Sequence, residues 1–174
     1  AAAFLPNNGQ GLVLAVFDIG SSATHLSIVL NGQTIFEREQ AFGGMQLTQD
    51  LVRLYGLTVE EAEIKKKTGE LPENFRTDVL QPFLEQGAID VTRALQFFFT
   101  STPYTRVDRI FLAGGSSVVP GLVEAIAERT QVQTEILSPF QGMEIAETIR
   151  EKQLRVDAPA LLTACGLAMR RFDA

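Results

Sequence analysis

An acidic residue followed by a glycine and two serines is the first group in this sequence that could do chemistry. In the stretch VFDIGSSATHLSIV, Asp18 ends an apolar run, and Gly20, Ser21 and Ser22 follow it. Backbone N–H groups at such a bend can converge on an anion, and serine hydroxyls add donors. Because Asp18 would repel a bare phosphate, a hydrated Mg²⁺ between carboxylate and phosphate oxygens reconciles the two. An ordinary glycine–serine turn is the alternative interpretation.

A second group of candidate residues lies in the stretch IFLAGGSSVVPGL, where an apolar strand runs directly into Gly114, Gly115 and Ser116. Paired glycines allow a flat ligand to approach the backbone closely. The carboxyl ends of strands are also where ligands bind in α/β sheets. Pro120 is expected just inside the following helix, where proline is favoured. The stretch therefore predicts a ligand-binding turn, with a plain strand-to-helix turn as the alternative.

The composition excludes several classes of function. The chain has 174 residues, 45% of them hydrophobic, which is enough for one domain or two small lobes with a real core. Fifteen basic residues against 21 acidic ones give a net charge of −6, which argues against a nucleic-acid-binding face. The single cysteine, Cys165, excludes an internal disulfide and fits a reducing compartment. We therefore expect a soluble, cytoplasmic protein that binds no nucleic acid.

The hydrophobic pattern predicts a sheet interrupted by a helical insertion. Apolar runs at residues 12–18, 25–30 and 33–38 predict a three-stranded meander, with Asn31–Gly32 as a hairpin turn. The pattern then changes to a helical period, with Thr58 and Glu61 as a capping box and Pro82 as a break in a long helix. A strand, a helix from Pro120, a second strand and a final helix follow.

These elements predict two subdomains. Residues 11–41 and 103–174 would form a core, residues 42–102 an inserted helical subdomain, and residues 1–10 a linker or frayed start. The final helix, residues 158–171, carries an apolar stripe that includes Leu162 and Leu167. An exposed apolar stripe favours association, so we expect the isolated chain to self-associate.

The two candidate stretches together resemble the actin-like ATPase superfamily, which includes actin, the Hsp70 chaperones, sugar kinases and the bacterial families FtsA, MreB and PilM. FDIGSSATHLSIV is similar to the second phosphate motif of that superfamily, and RIFLAGGSSVVPGL to its adenosine motif. The segments FEREQAFGGMQLTQDL, AEIKKKTGELP, ALQFFF and DAPALLTACGLAMRRFD resemble the PilM family of type IV pilus assembly. The resemblance implies an α/β, actin-like (ribonuclease H-like) fold, in which a mixed sheet flanked by helices carries an inserted, mostly helical subdomain.

The resemblance also implies a site for ATP and Mg²⁺. The implied nucleotide-binding residues are Asp18, Gly20, Ser21, Ser22, Gly43, Gly44, Glu63, Lys66, Gly114, Gly115 and Ser116. The first four would face the β- and γ-phosphates, with Asp18 binding Mg²⁺ directly or through water. The glycine pair at 43–44 would lie near the nucleotide, the Glu–Lys pair on the ribose and adenine side, and the last three at the adenosine and α-phosphate. A solvated ion pair in a charged helix is the alternative for Glu63 and Lys66.

The implied function belongs to a longer protein. Relatives carry a first phosphate motif upstream, so this sequence is expected to be the C-terminal half of an actin-like protein. That protein would bind ATP with weak or no ATPase activity, and the fragment alone would not be catalytic. It would dock the cytoplasmic N-terminal segment of PilN through the other half, at the inner face of the bacterial inner membrane, and serve twitching motility with other pilus assembly proteins. An FtsA-like cell-division filament protein, a nucleotide-free scaffold of a secretion system and a sugar kinase are the alternatives.

Overall fold

The computed structural model describes residues 4–6, 10–140, 143–146, 148–150, 154 and 156–168. Its centre is a five-stranded mixed sheet in the order β3-β2-β1-β4-β5. The strands are β1 (Val13–Ile19), β2 (Thr24–Leu30), β3 (Gln33–Gln40), β4 (Arg109–Ala113) and β5 (Thr134–Ile136). The first three pair antiparallel, whereas β4 is parallel to both β1 and β5. The predicted mixed sheet, which opens with a three-stranded antiparallel meander, is confirmed.

The turn between β2 and β3 follows from its sequence. Asn31 and Gly32 have φ angles of 52° and 77°, so both central residues lie in the left-handed region. Asn–Gly is the pair that reaches this conformation at least cost, and it gives the tight hairpin that the twist of paired strands requires. The expected hairpin is therefore confirmed.

Helices occupy the chain between β3 and β4. They are α1 (Met45–Tyr55), α2 (Val59–Thr68), a π-helical turn (Arg76–Leu80) and α3 (Gln81–Ser101). Glycines in the left-handed region end the first two helices, Gly56 at φ 66° and Gly69 at φ 77°. The Thr58–Glu61 capping box is present at the start of α2. The helical insertion is confirmed, while its independence as a subdomain stays a prediction.

Pro82 and Pro120 take different positions relative to the helices that the sequence predicts around them. Pro82 lies in the first turn of α3, where its missing N–H costs nothing, and the π-helical turn precedes it. The sequence predicts a turn or a kink at Pro82, and the structure shows a change from π-helical to α-helical hydrogen bonding there, within a continuous helical path. Helix α4 (Leu122–Thr130), by contrast, begins two residues after Pro120, so the expectation that Pro120 lies inside the helix is wrong. Gly121, at φ 89°, interrupts the helical path between them.

The two faces of the sheet have separate cores. Phe17 and Ile19 of β1 pack with α3 and α4, whereas Leu14 and Val16 pack on the other face with Leu162. Leu162 is the first residue of α5 (Leu162–Ala168), which follows a 3₁₀ turn (Ala158–Leu161). The strict alternation along β1 makes it the central, doubly covered strand.

The predicted apolar stripe on the last helix is divided between core and solvent. Leu162 is buried and Leu167 is half exposed, and the end of that predicted helix, residues 169–171, lies outside the described residues. None of the helices that the structure describes is long and apolar enough to span a membrane.

Candidate functional site

A cleft of about 510 Å³ lies between the helical insertion and the loop that follows β4. Residues from distant parts of the sequence meet around it. Those among the predicted site residues that line it are Ser21, Gly44, Glu63, Lys66, Gly115 and Ser116. The structure thus brings the β1–β2 loop, the entrance of the insertion, helix α2 and the loop after β4 to one cavity.

Most of the remaining residues in the cleft wall are apolar, and the sequence did not mark them as site residues. These side chains are Leu47, Leu71, Phe75, Leu80, Val118, Val119 and Pro120. Ligand pockets usually combine such an apolar lining with a few polar groups. The apolar residues at 71–80 surround a π-helical turn, a feature that has no clear sequence signature. The cleft can therefore accept a flat apolar group next to a charged pair.

The β1–β2 loop offers fewer backbone donors than its sequence suggests. The Gly20 N–H donates to the Ala23 carbonyl oxygen over 2.9 Å, so it closes the turn. Within the described part of the chain, the N–H groups of Ser21 and Ser22 make no hydrogen bond. Ser22 is exposed, and Ser21 lines the cleft. An anion at this loop would therefore meet the two serine amides and hydroxyls.

The glycine pair at the entrance of the insertion packs directly on this loop. The Gly44 N–H donates to the Gly20 carbonyl oxygen over 3.1 Å, and the Met45 N–H donates to the Ser21 carbonyl oxygen over 2.8 Å. A Cβ atom on Gly43 would lie 2.4 Å from that Ser21 oxygen, and one on Gly44 would lie 2.3 Å from the Ser116 Oγ. Gly43 requires glycine because two backbones approach closely there, whereas Gly44 leaves room for the Ser116 side chain.

The adjacent glycines after β4 have different surroundings. Gly114 has a φ of 85°, and a Cβ atom there would lie 2.4 Å from the Ile19 carbonyl oxygen and 2.5 Å from the Asp18 Oδ1. A Cβ atom on Gly115 would meet only the Ala160 Cβ, at 3.8 Å. Gly114 therefore fits the end of β4 against β1, while Gly115 lies on the cleft wall.

Asp18 belongs to a different depression. A second cavity, of about 470 Å³, lies between the sheet and α5, and Asp18 lines it with His25 and Glu37. The structure therefore does not place Asp18 in the wall of the Glu63–Lys66 cleft. No set of three or more metal-ligating side chains occurs among the residues that the structure describes. One carboxylate suits Mg²⁺ all the same, since this ion keeps several waters and takes its other oxygens from phosphates.

The predicted Glu63–Lys66 pair forms on the cleft side of α2. The Lys66 Nζ donates to the Glu63 Oε1 over 2.8 Å, with side-chain exposures of 20% for Lys66 and 40% for Glu63. The Lys66 Nζ also donates to the Thr48 hydroxyl of α1 over 2.8 Å. The low exposure of Lys66 and its additional partner Thr48 distinguish this pair from an ordinary solvated ion pair, which contributes little.

Comparison with solved structures identifies the fold. The structure described as the PilM-PilN type IV pilus biogenesis complex matches with a TM-score of 0.79 and 25% identity, over 91% of this chain and 46% of that one. MreB5 of Spiroplasma citri bound to ADP matches with a TM-score of 0.67 and 15% identity, over 97% and 56%. An archaeal actin homologue matches with a TM-score of 0.57 and 16% identity, over 96% and 51%. The fold is actin-like, and the chain spans about half the length of these relatives.

The family follows from the sequence itself. The sequence model described as type IV pilus assembly protein PilM matches residues 1–172. That match covers nearly the whole chain, and it confirms the family resemblance carried by the segments FEREQAFGGMQLTQDL, AEIKKKTGELP, ALQFFF and DAPALLTACGLAMRRFD. The chain belongs to the PilM family of type IV pilus assembly proteins.

Proposed function

We propose that this chain is the C-terminal, nucleotide-binding half of an actin-like protein of the type IV pilus inner-membrane platform, and that ATP occupies the cleft. The observation that carries the proposal is the convergence of residues from distant segments on one cavity, represented by Ser21, Lys66 and Gly115. A solved relative of the same fold, MreB5, is described as bound to ADP. The cavity volume is in the range of small-molecule sites.

The cleft wall suggests how ATP lies in it. The apolar end beside Phe75 and Val119 receives the adenine ring, and the Glu63–Lys66 pair receives the ribose. Gly115 and Ser116 lie along the adenosine and α-phosphate, Gly114 shapes the turn that presents them, and the donors of Ser21 and Ser22 meet the outer phosphates. Gly43 lets the insertion approach the β1–β2 loop closely, Gly44 leaves room for the Ser116 side chain, and Gly20 lies in the tight turn of the loop itself.

Asp18 does not line the cleft, but it lies near the end of β1 next to the β1–β2 loop, and it is the residue of this chain that would hold Mg²⁺, directly or through water, if the outer phosphates pass Ser21 and Ser22 toward that strand end. The ion neutralises phosphate charge when it is bound, and the carboxylate keeps it at the end of β1. Phosphoryl transfer further needs a positioned water and a charge clamp on the leaving phosphate. We propose weak or no ATPase activity for the longer protein, and none for this chain alone.

The partner proposal rests on a relative. The structure with 25% identity is described as a PilM-PilN complex. We propose that the longer protein binds the cytoplasmic N-terminal segment of PilN through its other half, and that this contact keeps it at the inner face of the inner membrane. Assembly with other pilus proteins and a role in twitching motility belong to the same proposal.

Calorimetric titration with ATP, with and without Mg²⁺, tests the nucleotide site. We expect tight Mg²⁺-ATP binding by the longer protein and weak or no binding by this chain, because the opposing phosphate motif supplies several charge-assisted hydrogen bonds. In the longer protein, Asp18→Ala should remove the dependence on Mg²⁺. Lys66→Met should weaken ATP binding at least about tenfold, while Lys65→Met, at the neighbouring position of α2, should not.

Two results would contradict the placement of ATP in this cleft or the role of Lys66 in it. If Lys66→Met bound ATP as tightly as the unaltered protein, the nucleotide would not lie in this cleft. Loss of affinity in Lys65→Met to the same degree would indicate a general effect of charge on α2.

A further inference from the structure

Thr48 is a buried polar residue at the cleft that the sequence did not mark as functional. It lies in the first turns of α1, and its side chain has no exposed surface. Its hydroxyl lies 2.5 Å from the Glu63 Oε1 and accepts a hydrogen bond from the Lys66 Nζ over 2.8 Å. The Gly44 carbonyl oxygen is 3.3 Å away. Because the hydroxyl has one proton, the shorter contact to the carboxylate takes it.

We infer that Thr48 is a positioning residue, which fixes the Glu63–Lys66 pair in the orientation that a nucleoside sugar requires. The inference rests on the proposed function, because that function places the ribose at this pair. Thr48, Glu63 and Lys66 form a closed ring, in which each side chain is hydrogen-bonded to the other two. Removing the hydroxyl opens the ring at two of its three hydrogen bonds.

The ring matters because of the chemistry of lysine. An ammonium group on a four-carbon stem has many rotamers, and fixing it costs conformational entropy when a ligand binds. In this structure Thr48 and Glu63 take two of the three Lys66 N–H donors. Two fixed donors determine the direction of the third. A ligand hydroxyl can then be bound by a lysine that is already oriented, which is the advantage of preorganisation.

Helix α1 also connects this ring to the phosphate side. The amides at its start, on Gly44 and Met45, donate to the carbonyl oxygens of Gly20 and Ser21, and Thr48 follows one turn later. These amide contacts do not involve the Thr48 side chain. Loss of the hydroxyl should therefore affect the sugar end of the site and leave the phosphate loop in place.

The test uses the longer protein and two ligands, ATP and inorganic tripolyphosphate. Thr48→Val keeps the shape of the side chain and removes its hydroxyl, and Thr48→Ser restores the hydroxyl. We expect Thr48→Val to weaken ATP binding about 10- to 100-fold. The ATP affinity of Thr48→Ser should stay within about threefold of that of the unaltered protein, and the tripolyphosphate affinity should change less than about twofold in both variants.

Thr48→Val combined with Lys66→Met should bind ATP no more weakly than Lys66→Met alone, because the two residues act as a unit.

A readout without nucleotide separates this inference from the proposed function. Nitrogen-15 NMR of the ligand-free protein should detect a protected Lys66 ammonium signal in the unaltered protein and in Thr48→Ser, and no such signal in Thr48→Val. An unchanged signal in Thr48→Val overturns the inference, whatever the result with ATP.

The titrations with ATP and tripolyphosphate can also overturn the inference. ATP binding by Thr48→Val at the unaltered affinity overturns the inference and leaves the nucleotide site standing. Equal losses for ATP and tripolyphosphate indicate general damage to the fold and overturn it too. If the unaltered protein binds no ATP, the proposed function fails, and the assignment of this ring to a nucleoside fails with it.

Discussion

Ser116 donates its side-chain hydroxyl to the Gly20 carbonyl oxygen over 2.9 Å, although 96 positions separate the two residues in the sequence. The same carbonyl oxygen accepts the Gly44 N–H over 3.1 Å. One backbone oxygen thus joins the β1–β2 loop, the entrance of the helical insertion and the loop after β4. A ligand that moves any one of these segments must act on the other two.

We predict a modest cost for Ser116→Ala. The substitution removes one hydrogen bond, but the Gly20 oxygen keeps its contact with Gly44, so no buried acceptor is left unpaired. The free energy of unfolding should fall by about 0.5–1.5 kcal/mol. Urea denaturation measures it, with Ser22→Ala, an exposed serine in the same region, as a control that should change little. If Ser22→Ala lowered the free energy of unfolding more than Ser116→Ala, the hydrogen bond from Ser116 to Gly20 would not stabilise the fold as proposed.

The adjacent glycines after β4 should differ sharply when each is replaced by alanine. Gly114→Ala places a Cβ atom against the Ile19 backbone and the Asp18 carboxylate at a φ of 85°, so it should lower the unfolding free energy by at least about 2 kcal/mol. Gly115→Ala meets only the Ala160 Cβ at 3.8 Å and should stay within about 0.5 kcal/mol. Thermal unfolding of the two variants decides it, and equal stability would contradict the described packing of β4 on β1.

The sequence predicted the order of the elements well because those signals are local. The Asn31–Gly32 turn and the Thr58–Glu61 capping box each act within a few residues. Prediction was poorer where the decisive contact is distant. Nothing near Gly114 in the sequence shows that its missing side chain would meet Asp18.

The sequence led to six of the residues that line the cleft, but it indicated neither the apolar wall nor the separate position of Asp18. The motifs led to both Asp18 and the Glu63–Lys66 pair, yet Asp18 lines the cavity beside α5 and the pair lines the cleft of the insertion. Which face of the sheet a strand-end side chain takes depends on register and on what covers each face. Thr48 was overlooked because a single threonine on an amphipathic helix has no pattern, and only the packing of α1 on α2 gives it partners.

Two of the three consecutive phenylalanines at the end of α3, Phe97 and Phe98, should differ sharply in their contribution to stability. Phe98 is fully buried and packs with the rings of Phe36, Phe99 and Tyr104, whereas Phe97 is 47% exposed. Phe98→Ala should therefore lower the free energy of unfolding by about 3–5 kcal/mol. Phe97→Ala loses the stacking of the Arg38 guanidinium, 3.9 Å from its ring centre, and a looser contact with the Phe36 ring at 6.2 Å, and it should cost less than Phe98→Ala, about 1–2 kcal/mol. Chemical denaturation that ranked the two in the opposite order would contradict the register of α3.

The capping box of α2 should give Glu61 an unusually acidic carboxyl group. The Thr58 backbone N–H donates to the Glu61 Oε2 over 2.8 Å, and the Thr58 hydroxyl lies 2.9 Å from the same oxygen. The backbone hydrogen bond and then the hydroxyl hold the pKa of Glu61 below its ordinary value of 4.5. Carbon-13 NMR titration should detect the lowered pKa, and Thr58→Ala should raise it toward the ordinary value while Thr58→Ser does not.

The sign of the pH dependence follows from this lowered pKa. Since the folded chain binds the Glu61 proton less tightly than the unfolded chain, the ionised carboxylate stabilises the fold. That stabilisation is fully present above the ordinary pKa of 4.5 and is lost as the pH falls through the lowered value. Comparing the acid unfolding of Thr58→Ala and Thr58→Ser isolates the effect, because Thr58→Ala should lose less stability on acidification. A Glu61 pKa that is the same in both variants would contradict the role of the hydroxyl and would leave the Thr58 backbone N–H as the group that lowers the pKa.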